Sequence, residues 1–121
     1  MGLRDLFRRR GPKGYSTPAE GDRLILEQLR ELGGDLSRPR HVIQYLYFPT
    51  EAAALGAAET LRATGYDVDL RPPREGIAQW AAIAEAHVVV DEAWLDEMRP
   101  RLEAIGAAND GEYDGWEAAA D

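Results

Sequence analysis

The sequence predicts an α+β domain of the ferredoxin-like type, a split βαβ sandwich with an extra N-terminal helix. Strand-like and helix-like segments follow in the order helix, strand–helix–strand, strand–helix and a last short strand. A length of 121 residues, 45% of them hydrophobic, suits one ordinary core. We therefore expect a domain over residues 17–117, between a basic flexible lead at 1–16 and a polar tail at 118–121.

The central strand is predicted over residues 40–49, a β-branched and aromatic run that ends at Pro49. Side chains alternate across a strand, so each face of this one carries large groups. We expect one face to carry the crossover helices and the first helix or the closing segment to cover the other. The two faces hold Val42, Leu46 and Phe48, and His41, Ile43, Tyr45 and Tyr47.

Three helices are predicted from their caps. The first begins after Thr17, or after Asp22, and stops at Gly33-Gly34; the second follows Thr50 and ends at Gly65. Asp91 is predicted to cap the third helix. Pro100 lies inside that helix, where it removes a hydrogen bond, so we expect a kink near residues 96–98 or an earlier break.

The remaining strands are less regular in sequence. Residues 66–71 alternate cleanly between apolar and charged side chains and predict a half-buried strand. The run from Ile77 to Val90 favours a strand, with a helix over 78–86 as the alternative. Residues 111–116 predict a short edge strand.

The formal charge of −8 is unevenly spread along the chain. Residues 1–14 hold five basic side chains and one acidic one, so the rest of the chain is strongly acidic. An acidic body argues against nucleic acid as the main ligand and favours a basic protein surface. The basic lead itself is expected to be a frayed tail, or alternatively an amphipathic foot for an anionic surface, through Leu3, Leu6 and Phe7. No membrane-spanning run or secretory signal is apparent, so we expect a cytoplasmic protein.

No residue pattern indicates catalysis. The chain has no cysteine, and its two histidines, His41 and His87, lie in apolar strands where a structural role is expected. Residues 110–115 resemble the start of a calcium loop, but the twelfth position is Asp121 and no exit helix follows, so a turn and an acidic edge are favoured. We expect no catalytic residue, no cofactor and no metal site.

Two tyrosines on a split βαβ sheet also suggest a second function, the binding of single-stranded RNA. Single-stranded RNA readers stack bases on aromatic side chains of their central strands. Tyr45 and Tyr47 would provide such a surface, although the basic–glycine–aromatic signature is missing from the strand around Trp80. An RNA-binding module using the Tyr45/Tyr47 face is therefore the alternative to a protein-binding domain.

Three blocks of the sequence form a recognisable pattern: residues 26–29 with 34–41, residues 46–48, and Gly111-Glu112-Tyr113-Asp114-Gly115-Trp116. Together they resemble the ribonuclease E inhibitor RraB family over about residues 20–117. The resemblance implies a cytoplasmic bacterial protein of ferredoxin-like fold without catalysis of its own. It also implies a regulator that binds an RNA-degrading endonuclease and alters which transcripts it cleaves. The Arg8-Arg9-Arg10 run departs from the acidic N-terminal portion typical of the family.

We therefore predict a non-catalytic protein that binds and inhibits or modulates an endoribonuclease of the RNase E type. An acidic surface is expected to meet basic regions of the nuclease, with two aromatic side chains as apolar anchors. Core packing is the other role expected of these aromatic residues. The predicted partner-binding residues are Asp91, Glu92, Glu112, Tyr113, Asp114 and Trp116.

Overall fold

A computed structural model describes residues 17–32 and 35–119, and its elements follow the predicted order. The predicted basic lead at 1–16, the helix stop at Gly33-Gly34 and the last two residues of the predicted tail lie outside the described residues. The elements are α1 (Pro18–Glu31), β1 (Arg40–Phe48), α2 (Glu51–Ala63), β2 (Asp67–Arg71), β3 (Trp80–Val88), α3 (Glu92–Ala108) and β4 (Glu112–Ala118).

The four strands form one antiparallel sheet in the order β2-β3-β1-β4. The two βαβ units interlock, because each parallel pair of strands is separated by a strand from the other unit. This is the ferredoxin-like order, and the predicted fold class is confirmed. The strand β1 is central, as predicted, and β4 is an edge strand with a bulge where its register to Tyr45 and Leu46 shifts.

All three predicted caps form. The side chains of Thr17 and Thr50 accept hydrogen bonds from the backbone three residues later, at 3.2 and 3.1 Å. Asp91 Oδ1 accepts from Trp94 N at 2.8 Å. Each cap satisfies a backbone N–H that the first helical turn leaves unpaired, which fixes where α1, α2 and α3 begin. Asp22, the other cap considered for the first helix, lies inside α1.

Two local predictions are resolved by the sheet and by α3. Residues 80–88 form a strand, because the small side chains of Ala82 and Ala84 pack beneath the helices while β1 and β2 pair on both sides. The helical alternative over 78–86 is therefore wrong. The third helix runs on through Pro100 to Ala108, so the predicted earlier break is also wrong. Apolar packing of Met98 and Leu102 on either side of Pro100 favours the unbroken helix.

The core lies on one face of the sheet. Val42, Leu46 and Phe48 are fully buried there against α2 and α3, as the alternation predicted. The first helix lies on this same face, because its stripe of Ile25 and Leu29 joins the same cluster. Neither cover predicted for Tyr45 and Tyr47 is therefore found there, because α1 packs on the core face and the closing segment pairs with β1 in the sheet as β4. None of the three described helices packs on the tyrosine face of the sheet.

Candidate interaction surfaces

The six residues predicted to bind a partner are spread along the length of α3, with Tyr113 against Met98 and Trp116 against Trp94. Asp91 and Glu92 stand at its start, whereas Glu112 begins the strand that follows its end. A Cβ on Gly106, near the end of the helix, would lie 3.3 Å from Glu112 Cα. At 1.5 Å per helical residue, the start of α3 is about 21 Å from this contact. The fold therefore does not bring the six residues into one compact patch.

Trp116 lies in the core beneath the helices. Only 1% of its surface is exposed, and its ring meets the Trp94 ring edge-on with 5.4 Å between centroids. Its indole Nε1 donates a hydrogen bond of 2.8 Å to Asp22 Oδ1. A side chain this deeply buried contributes packing energy and offers no surface, so Trp116 is a core residue and the prediction that it anchors a partner needs correction.

Tyr113 is half-buried beside the same network. Its hydroxyl donates to Gln44 Oε1 at 2.5 Å, and the Arg99 guanidinium lies 5.1 Å from its ring centroid. Gln44 is itself fully buried in β1, and its amide donates to the Tyr66 hydroxyl at 3.4 Å. Tyr113 thus links α3 to the centre of the sheet. Asp114 is half-buried at the bulge of β4.

An ion pair that the sequence did not reveal joins α1 to α3. Arg99 Nε and Nη2 donate to the two carboxylate oxygens of Asp22 at 2.6 and 2.9 Å, and 2% and 7% of the surfaces of Asp22 and Arg99 are exposed. Burial disfavours the charged guanidinium, but the hydrogen bond and charge of Asp22 outweigh it and hold the pKa of Arg99 above its ordinary value. Only the occurrence of a charged residue within each apolar helical stripe signals this pair in the sequence.

An acidic groove of about 220 Å³ runs between α1 and α3. Three exposed carboxylates stand around it, those of Glu92, Asp96 and Glu103, and Leu95 and Pro100 form apolar lining. Asp96 lies 3.9 Å from the exposed guanidinium of Arg23. We call this the α1–α3 groove, and it includes one of the predicted partner-binding residues, Glu92.

The opposite face of the sheet, which we call the open face, carries aromatic and acidic side chains. It is formed by alternate residues of all four strands, among them His41, Tyr45 and Tyr47 of β1. His41 Nε2 lies 2.6 Å from Glu85 Oε1, and the rings of His41 and His87 lie 5.2 Å apart. Both histidines therefore take part in contacts within the sheet surface, the structural role predicted for them.

A shallow groove of about 450 Å³ lies on the open face beside the turn that joins β2 to β3. Arg74 and Ile77 of that turn form a small antiparallel bridge, and both line the groove. Tyr45 and Tyr47 line its floor, and the exposed Glu112 lies at its β4 side. The open face therefore presents aromatic rings with an acidic group beside them.

Across residues 17–32 and 35–119, no three His, Asp or Glu side chains are placed to hold a metal ion. The calcium-like segment is divided, with Asp110 in the turn after α3 at a φ of 60° and Glu112 and Asp114 in β4. This is the predicted turn and acidic edge. In the same described part of the chain, no helix has the length and apolar character needed to cross a membrane.

The fold and its surface charge define an acidic α+β domain of ferredoxin-like topology with α1 added to the helical layer. Comparison with protein families places the chain more closely. It belongs to the RraB family, regulator of ribonuclease activity B, whose model matches residues 19–118. No curated protein matches the sequence in a direct search. The resemblance seen in the sequence is thus confirmed, and with it the assignment to regulators of ribonuclease activity.

Proposed function

We propose that this protein is a non-catalytic cytoplasmic regulator that binds an endoribonuclease of the RNase E type and inhibits or redirects its cleavage of RNA. The observation that carries the proposal is membership of the RraB family over residues 19–118. The charge of the chain supports it, since an acidic domain is suited to the basic surfaces that RNA-cleaving proteins present to their substrate.

We propose the α1–α3 groove as the principal contact surface. Glu92 and Glu103 are exposed there, and Glu103 Oε2 also lies 3.5 Å from Arg99 Nη1. Leu95 and Pro100 provide apolar lining that an aliphatic or guanidinium group can cover. Arginine suits such a site because its planar head pairs with carboxylates while its stem packs on apolar surface. The β4 residues Glu112, Tyr113 and Asp114 would form a second contact along the edge strand. Asp91 would support Glu92 by capping the start of α3, and Trp116 would support the same start from the core through its contact with Trp94.

The test is a cleavage assay with the RNase E-type enzyme purified from the same host. Adding the regulator is expected to slow cleavage or change the products, and the effect should weaken as salt rises. Neutralising the groove with Glu92→Gln and Glu103→Gln together is expected to weaken binding about tenfold at low salt, since each charge on such a rim contributes up to about 1 kcal/mol.

The double variant Glu51→Gln, Glu59→Gln is the matched control, because both carboxylates are exposed on α2 and the change in charge is the same. Its binding should equal that of the wild type. Unchanged cleavage and no binding at low salt would reject the proposed nuclease as the partner. Equal losses from the groove variant and from the α2 variant would reject the groove, because only the overall charge would then matter.

The two half-buried tyrosines of the open face, on which no described helix packs, favour single-stranded RNA binding as a second candidate. Tyr45 and Tyr47 line the floor of the open-face groove, where bases could stack. Glu112 and Glu85 on the same face repel phosphate, which weighs against it. Titration with fluorescent oligonucleotides at low salt tests this role: binding lost in Tyr47→Ala would support it, and no binding by the wild type would exclude it.

A further inference from the structure

Two residues are buried on the face of the sheet that no described helix covers. Ile43 and Glu117 are opposite each other in the β1–β4 register and are 3% and 4% exposed. Their neighbours Val42 and Ala118 belong to the core beneath the helices, so alternation turns Ile43 and Glu117 toward the open face. Burial of a glutamate on an edge strand indicates that this part of the open face is covered.

The carboxylate of Glu117 is only half satisfied. Its Oε1 accepts a hydrogen bond from the Tyr45 hydroxyl. Its Oε2 is buried and, among the described residues, has no hydrogen-bond donor. A buried carboxylate oxygen without a donor is costly, and native structures rarely leave one so. A cationic group from outside the described residues would satisfy this oxygen best, because charge-assisted hydrogen bonds to carboxylates are the strongest.

We propose that the basic lead of this same chain, residues 1–16, docks on the open face and supplies that donor. Arg8, Arg9 and Arg10 would bring positive charge to Glu117 and to the exposed Glu112, which shares its groove with Arg74. Leu6 and Phe7 directly precede these arginines in the sequence, and their apolar side chains would pack on Tyr45 and Tyr47 in the open-face groove. This proposal is independent of any nuclease, because it concerns one chain and the face opposite the α1–α3 groove.

The start of α1, to which residues 1–16 are joined, lies near the β4 edge of the sheet. The lead joins α1 at Thr17, and Asp22, five residues further on, is hydrogen-bonded to Trp116 of the edge strand β4. At 1.5 Å per residue, Thr17 is about 7.5 Å along the helix from Asp22, so the lead begins near the β4 edge. Sixteen extended residues can span about 50 Å, far more than the roughly 10 Å between packed layers. The lead can therefore pass around β4 onto the open face.

Carbodiimide cross-linking of the full chain tests the docking, because it joins an amine to a carboxylate with which it is in contact. Lys13 is the only lysine in the sequence. The double variant Arg9→Lys, Lys13→Arg moves that amine to the middle of the lead without changing the charge. At low salt, mass spectrometry is expected to find the amine at position 9 joined mainly to Glu112 or Glu117 within one chain. In 1 M salt the yield should fall severalfold.

Cross-links mainly to carboxylates of α1, α2 or α3, or no cross-link at low salt, would overturn the proposal. Cross-links only between isotopically labelled and unlabelled copies would overturn docking within one chain. Stability gives a second readout. Replacing Arg8, Arg9 and Arg10 together by Gln should lower the urea midpoint of the wild-type protein, but should not lower it in a protein that already carries Glu117→Gln. Arg38→Gln, in the exposed loop before β1, is the matched control and should shift both backgrounds equally.

Discussion

Trp116 Nε1 donates to Asp22 Oδ1 at 2.8 Å, although the two residues are 94 positions apart in the chain. The same carboxylate accepts two hydrogen bonds from Arg99. One buried carboxylate therefore ties α1, α3 and β4 together. Because buried charges are tolerated only when paired and hydrogen-bonded, this cluster fixes where the extra helix docks against the ferredoxin-like core.

Replacing Trp116 by Phe is expected to destabilise the domain by about 1–3 kcal/mol, through lost volume and a lost hydrogen bond. Asp22 would keep its bonds to Arg99, so the fold should persist. Urea denaturation measures the change, and Trp80→Phe, at a half-buried strand end, is the control with a smaller loss. A variant of unchanged stability that no longer binds the nuclease would instead place Trp116 at an interface.

The Asp22–Arg99 pair should be far more costly to break than to remove. Asp22→Ala leaves the buried Arg99 guanidinium with only its 3.5 Å contact to the exposed Glu103, and a loss of about 3–5 kcal/mol is expected. Replacing both residues, by Leu and Met, should cost markedly less because no buried charge remains. The exposed pair Arg23–Asp96 is the control, since breaking it should cost less than about 1 kcal/mol. Equal losses from the single and double variants would show that the charge is not the cause.

Much of the fold could be predicted because local signals agreed with the final packing. The caps at Thr17, Thr50 and Asp91 and the alternation in β1 act within a few residues, so their outcome is visible in the sequence. The predicted break before Pro100 is wrong because apolar packing on both sides of the proline outweighs the proline's local tendency to end a helix.

The candidate site was harder to predict because it depends on contacts between distant segments. Nothing local indicates that Asp22 meets Arg99 or that Trp116 turns inward, since each pairing needs the whole sheet to form first. The same holds for the placement of α1, which has an apolar stripe suited to either face. Charge alone suggested one acidic patch, whereas the length of α3 separates Glu92 from Glu112.

Gly111 is expected to tolerate no side chain. A Cβ there would overlap the Tyr47 carbonyl oxygen and the Phe48 ring, and the backbone atom cannot move aside without disturbing β1. Gly111→Ala should therefore lower the free energy of unfolding by about 1–3 kcal/mol or prevent folding. Gly76→Ala is the control, because its φ of 85° costs about 1 kcal/mol while a Cβ there meets nothing within 4 Å. Equal losses in the two variants would contradict the steric explanation.

The stability of the domain should fall at high pH through Tyr66. Burial, opposed by the Gln44 hydrogen bond and the Arg101 charge, raises the pKa of Tyr66 above its ordinary value of 10.0. The folded chain then holds the phenolic proton at a pH where the unfolded chain has released it. The contribution of Tyr66 to the free energy of unfolding is therefore complete below about pH 10 and is lost as the pH rises through the folded pKa. The free energy of unfolding falls in this range by at most about 1.4 kcal/mol per pH unit.

Tyr66→Phe isolates this effect, because the other tyrosines titrate alike in both proteins and cancel in the difference. Urea denaturation between pH 8 and about pH 11 should show a steeper fall for the wild type than for the variant, with the gap opening only above the unfolded tyrosine pKa of about 10. Parallel curves over the whole range would mean that Tyr66 ionises equally in the folded and unfolded chains. A gap that opens near neutral pH would contradict the assignment to the Tyr66 phenol, because tyrosine is protonated there in the unfolded chain.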